Sequence, residues 1–135
     1  MCSSDLALAE IHNRSVTHRA ISADNLFLRD AGGHVLSLGP CVTTPPAFDL
    51  PSIYETLNTA AADPAGRGEG SARDDMFALG MTVLALFMGR TPGAALDRDE
   101  LMIRRIEQGS LAALIDRREI PRELIDVLEV GRAHV

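Results

Sequence analysis

The chain has 135 residues, 46% of them apolar and only 4% aromatic, and carries a formal net charge of −6. This bounds it to a single domain at most, excludes a disordered chain, and excludes a nucleic-acid or anionic-membrane face, which needs clustered Lys and Arg. No apolar run reaches the ~18 residues of a membrane span, and Cys2 and Cys41 give neither metal-ligand spacing nor a disulfide framework, so a reducing cytoplasm is the expected compartment.

In chain order, Leu6, Leu8, Ala9 and Ile11 read as the end of an amphipathic helix that breaks at Asn13-Arg14-Ser15. Asn25 to Leu28 reads as a brief strand. Arg29-Asp30-Ala31-Gly32-Gly33 supplies a turn whose glycines reach positive φ cheaply, and His34 to Leu38 pairs back. Residues 40–70 have no periodicity and hold five of the seven prolines. Loops of that length are uncommon unless they serve a function.

Ser71 and Asp74 have capping-box spacing, and Asp74 and Asp75 suit the positive end of the helix that follows. From Met76 to Met88 that helix is apolar almost all round, so burial on every side is expected, Phe77, Leu79, Val83, Leu84 and Phe87 included. Gly89 stops it and Pro92 prevents resumption. Asp97 and Glu100 form a second capping box before Leu101, Met102, Ile103 and Ile106, with Gly109 as the stop. A short helix fits Ser110 to Ile115. Pro121 then opens a last one carrying Leu124, Ile125, Val127 and Leu128. The expected fold is mainly α with a small β-hairpin, an α+β arrangement.

Four stretches in this order resemble the protein kinase superfamily. Val16-Thr17-His18-Arg19-Ala20-Ile21-Ser22-Ala23-Asp24-Asn25 is similar to the catalytic loop His-Arg-Asp-x-Lys-x-x-Asn. His34-Val35-Leu36-Ser37-Leu38-Gly39 is similar to the strand that runs into Asp-Phe-Gly. Ser71 to Gly80 looks like the Ser-x-x-x-Asp-x-Trp-Ser-Leu-Gly helix. Met88-Gly89-Arg90-Thr91-Pro92 looks like its Gly-Arg-x-Pro exit.

The resemblance covers residues 7–130 and implies a kinase-like C-terminal lobe with the N-terminal lobe absent. Residues 16–39 then hold the catalytic loop and a degenerate Asp-Phe-Gly region, 40–70 an activation-segment-like loop and 71–130 a helical subdomain. The Asp-x-Phe-Ala-Leu-Gly helix and Pro64 to Gly68 resemble bacterial Ser/Thr kinases. Residues 1–6 and 131–135 match translations of the two ends of a common sequencing-library adapter and are expected to be adapter-derived.

The same resemblance implies that the working groups are missing. The acid that takes the substrate proton falls on Ala20, the loop lysine on Ser22 and the main metal-binding aspartate on Ser37. A positioned acid or base contributes about 10²–10⁴-fold in rate, and a neutral hydroxyl is a poor ligand for a hard dication. Asp24, the nearest carboxylate, corresponds to a family glutamate that faces away from the phosphate. Asn25 is a nucleotide and metal remnant, expected to tether the loop rather than hold Mg²⁺.

His18, Arg19, Leu38, Gly39 and Asp75 are expected to be structural, with Asp75 accepting N–H groups from the loop around His18 and Leu38 standing in for the motif phenylalanine. Ala61-Ala62-Asp63 occupies the place of Ala-Pro-Glu. Thr43, Thr44, Tyr54 and Thr59 read as solvent-facing hydroxyls before they read as phosphorylation sites. The pairs Arg104-Arg105 and Arg117-Arg118 read as solvated helix faces.

The expected function is therefore that of a pseudokinase fragment that binds or scaffolds. Its protein partner would meet the activation-segment-like loop and the C-terminal helices. No cofactor is expected for this chain; ATP and Mg²⁺ enter only if a full-length parent is active through non-standard residues. That active parent is the alternative, and an unexpressed open reading frame is a third.

Overall fold

A computed structural model describes residues 3–40, 56–60 and 70–130. Cys2, Cys41, Thr43, Thr44, Tyr54, Ala61 to Asp63 and Pro64 to Gly68 lie outside the described residues, as does the segment 131–135. Within them, five α-helices and one two-stranded antiparallel sheet make a mainly helical α+β chain.

Helix α1 (Ser3–Asn13) ends where Ser15 takes a left-handed conformation, and residues 16–22 follow as an irregular loop. A single 3-10 turn, Ala23–Asn25, leads into β1 (Leu26–Leu28), which pairs with β2 (Leu36–Leu38) in the register Leu26 to Leu38, Phe27 to Ser37 and Leu28 to Leu36. The connection is wider than a two-residue hairpin. Gly33 turns it at φ 69°, and Asp30 closes it by accepting the Val35 N–H at 2.7 Å.

Helix α2 (Ala72–Met88) is the longest element. Asp74 reaches back to the Ser71 N–H at 2.7 Å and also takes the Ser71 hydroxyl at 2.8 Å, so two polar groups at the helix start are satisfied by one carboxylate. The all-round burial expected of this helix is corrected by the structure. Asp75, Phe77, Ala78, Met81, Thr82 and Leu84 are buried, but Leu86 is 60% and Phe87 70% exposed, and Val83 is also on the outside. Burial follows the faces that the loop and the other helices cover, and Val83, Leu86 and Phe87 lie outside them.

Helix α3 (Arg98–Gln108) carries only half of its expected capping box. Asp97 accepts the Glu100 N–H at 2.8 Å, whereas the Glu100 carboxylate turns to Arg104 one helical turn ahead, also at 2.8 Å. Leu101 and Arg105 are buried, while Ile103 and Ile106 are exposed. Short α4 (Ser110–Leu114) and α5 (Arg122–Val130) complete the chain, α4 packing on α3 and α5 on α2.

The main core gathers Phe77, Met81 and Leu84 from α2 with Leu101, Leu111, Leu114 and Leu128. A smaller cluster of Leu8, Ile21 and Ala78, with Leu38 against it, lies under the loop 16–22. Gly80 leaves room for Leu128 of α5, because a Cβ there would sit 2.4 Å from Leu128 Cδ2 and 3.2 Å from its Cγ. Alanine normally stabilises a helix interior relative to glycine by about 0.5–1 kcal/mol. Here Gly80→Ala is expected to lower the midpoint of urea unfolding instead, since overpacking costs about 1–3 kcal/mol.

Candidate functional site

The site is the loop 16–25, and Asp75 at the start of α2 shapes it. Asp75 is buried, and its carboxylate accepts the His18 N–H at 2.7 Å, the Arg19 N–H at 2.8 Å and His12 Nε2 at 2.8 Å. A carboxylate is tolerated in such a place only when several donors satisfy it. Arg19 sits at φ +59°, a conformation that costs a non-glycine residue about 1–2 kcal/mol. The two adjacent backbone donors converging on Asp75 hold the chain in that bend.

His18 crosses to the other strand of the site. Its Nε2 lies 3.1 Å from the Gly39 carbonyl, and its Nδ1 accepts the Ala20 N–H at 3.2 Å. Nδ1 therefore carries no proton, Nε2–H donates, and the ring is neutral. Burial pushes the His18 pKa below its ordinary value of about 6.5. The Gly39 carbonyl and the Asp75 carboxylate oppose that shift, while His12 adds to it.

The folded chain thus binds fewer protons at His18 than the unfolded chain does. Stability from this group is complete above about pH 6.5 and falls as pH drops through 6.5 toward the lowered folded value. The melting temperature is expected to fall between pH 7 and pH 5.5, and His18→Gln to flatten that slope. An unchanged slope in the variant would contradict the assignment.

Asn25 ties the loop to the end of β2. Its amide nitrogen donates to the Ala20 carbonyl at 2.8 Å and the Pro40 carbonyl at 3.0 Å, and its backbone carbonyl accepts the Gly39 N–H at 2.8 Å. Gly39 has to lack a side chain, because a Cβ would fall 1.9 Å from Asn25 Oδ1. Both amide hydrogens of Asn25 are committed to the backbone of this tether.

Ala20, Ser22, Ser37 and Asp24 lie around that frame. Ala20 is wholly buried, and Ser22 is buried with no hydrogen-bond partner for its Oγ among the described residues. Ser37 is half-buried opposite Phe27. Asp24 is exposed and lines, with Ser22, a cavity of about 290 Å³ that Thr56, Asn58, Thr82 and Thr91 also line. Thr82 donates its hydroxyl to the Ala78 carbonyl at 2.7 Å and Asn58 its amide to Pro92 at 3.1 Å. Among the described residues no three His, Cys, Asp or Glu side chains gather as a metal site would require.

Two residues of this region escaped sequence reasoning. His12, in the last turn of α1, joins His18 at Asp75; only its helical placement on the inner side could have suggested that. Arg105 corrects the reading of Arg104-Arg105 as a solvated face. It is buried, and its guanidinium donates to the Leu57 carbonyl and, at 2.7 Å, to the Ala60 carbonyl. The available signal was its position one turn after Leu101, on the same face of α3. Thr59, read as a solvent-facing hydroxyl, is buried as well, its hydroxyl directed to the Thr56 carbonyl at 3.2 Å.

No protein-family model matches the chain. Among curated proteins it is similar to the Probable inactive leucine-rich repeat receptor kinase XIAO of Oryza sativa subsp. japonica, with 28% identity over 124 residues. The match takes in 81% of this chain and 11% of that protein, so the chain spans about a ninth of the relative's length. The relative is a plant protein, and the expectation of a bacterial origin draws nothing from it. The similarity points weakly to a kinase-like relation, and to one with an inactive kinase.

Proposed function

We propose that the chain is part of a kinase-like domain that does not transfer phosphate and works by binding a protein partner. The observation that carries this reading is the state of position 20. Phosphoryl transfer needs a residue that orients the acceptor and groups that hold the metal and nucleotide. Here an alanine methyl stands at the acid's place, wholly buried. Asp75 already serves three donors, and Asp24 lies on the exposed side of the loop. The similarity to a kinase named as inactive supports the same reading. The binding surface in this proposal comprises the segment after β2 and the helices from α3 onward, with ATP and Mg²⁺ having no part in it.

Two measurements test the proposal. The chain is expected to label no protein substrate from γ-labelled ATP, and ATP is expected to leave its melting temperature unchanged with or without Mg²⁺. A Mg²⁺-dependent rise in melting temperature, or transfer of label, would refute catalytic silence. Ala20→Asp is expected to lower stability by about 1–3 kcal/mol, because it places a carboxylate without donors at a sealed position. Urea unfolding measures that cost.

A further inference from the structure

Both ring nitrogens of His18 are committed, and in opposite senses. Nε2 lies 3.1 Å from the Gly39 carbonyl, which can only accept, and Nδ1 lies 3.2 Å from the Ala20 nitrogen, whose N–H can only donate. The ring therefore has a place for one proton, on Nε2. A second proton from solvent would have to sit on Nδ1, where it would meet the Ala20 N–H donor against donor. His18 cannot become a cation while that contact stands. The residue is buried, so its ring cannot turn away to water without moving the loop.

The Ala20 contact belongs to a continuous set of bonds. The Ala20 carbonyl accepts the Asn25 amide at 2.8 Å, and the same amide nitrogen donates to the Pro40 carbonyl at 3.0 Å. The bonds thus run from the His18 ring through Ala20 and Asn25 to the segment after β2. Beside them Arg19 stands at φ +59°, which favours release once the neighbouring contacts weaken. The apolar residues under this loop, Leu8, Ile21 and Ala78, form a cluster separate from the main core of α2 to α5. A region with few buried apolar contacts opens at a lower free energy than the core it borders.

Among the described residues, the charged or titratable groups facing the ring are Asp75 from α2 and His12 from α1. Burial disfavours the cation most; the Gly39 carbonyl and Asp75 favour it, and His12 opposes it. Burial outweighs the rest, so the ring takes its second proton only below its ordinary value of about 6.5.

We infer that His18 is an acid switch for this loop: a proton taken up on Nδ1 breaks the Ala20 contact, and residues 18–20 open together with the Asn25 tether to Pro40 while α2 and α5 stay packed. The inference goes beyond the reading of the chain as a binding module and holds whether or not the chain transfers phosphate. In that reading, the segment after β2 is held in place at neutral pH and let go in acid.

The test is an NMR titration of the isotope-labelled full chain from about pH 7.5 to about pH 4.5, a range that brackets the histidine transition. The His18 ring carbon Cε1 reports protonation, the Arg19 and Ala20 amides report the loop, and the Met81 and Leu128 amides report the core. The ring and the Ala20 amide are expected to change with one shared midpoint below about pH 6.5, while Met81 and Leu128 hold their positions. His18→Gln can donate to Gly39 and accept from Ala20 without titrating, and is expected to abolish the Ala20 transition. His12→Gln is expected to keep it.

If His18→Gln fails to fold, the shared midpoint in the unmodified chain and the His12→Gln titration still decide. An Ala20 amide that stays in place while the ring titrates, or a ring that takes up no proton over this range, would overturn the proposal. So would core amides that move at the same midpoint, or an Ala20 transition that survives His18→Gln.

Discussion

Asp75→Leu is expected to cost about 3–5 kcal/mol, the scale seen when one partner of a buried charged network is removed. For a domain whose total stability is about 5–15 kcal/mol, that is enough to unfold a large share of the molecules. Three donors converge on this carboxylate, and two of them are the backbone N–H groups of His18 and Arg19, which no side-chain movement can relocate. Each buried donor left without an acceptor costs about 1–3 kcal/mol. Asp75→Asn keeps one acceptor oxygen and is expected to cost less, about 2 kcal/mol.

The loss also has a local signature. Arg19 is held in the left-handed conformation at φ +59° by the bond from its N–H to Asp75. Without that bond the loop relaxes, and the peptide bond after Arg19, sealed in the folded chain, becomes open to trypsin. Limited proteolysis of Asp75→Asn should therefore release a fragment ending at Arg19 well before the unmodified chain does. A neutral Asp75→Leu in urea unfolding would remove the central support of the site as described.

Arg105→Leu is the second large effect, at about 2–3 kcal/mol, because the Leu57 and Ala60 carbonyls lose a buried donor together. Leucine covers the apolar part of the site but supplies no N–H. Arg105→Lys is not expected to rescue it fully: both carbonyls are met by one nitrogen, Nη2, and the lysine nitrogen, one bond closer to its Cα, falls short of that position. The effect should concentrate on residues 56–60. Amide exchange there is expected to accelerate in both variants while the α2–α5 contact keeps its protection. Uniform acceleration across the chain would mean that Arg105 stabilises the fold generally rather than clamping this segment.

The reason Arg105 was hidden in the sequence is instructive. Reading α3 by its apolar residues alone favours the Leu101, Met102, Ile103 and Ile106 side. The structure buries Leu101 with Arg105 and leaves Ile106 81% exposed. A charged residue on a buried stripe is invisible to hydropathy, because its burial depends on two carbonyls some 45 residues away in the chain. The same limit explains α2. Its uniform apolarity is legible, but which side is covered depends on where α5 and the loop pack, and Leu86 and Phe87 fall outside both contacts.

What the sequence determined by itself was local. The break after α1, the Ser71–Asp74 start of α2, the Asp97 cap, the stops at Gly89 and Gly109 and the β1–β2 pairing all rest on neighbouring residues, whose backbone preferences and short-range hydrogen bonds act within a few positions. Only the tertiary structure decided that His12 reaches Asp75 and that Arg105 clamps 56–60. Those contacts join positions remote in the chain, and their free energy comes from desolvated groups finding partners, which no local pattern encodes.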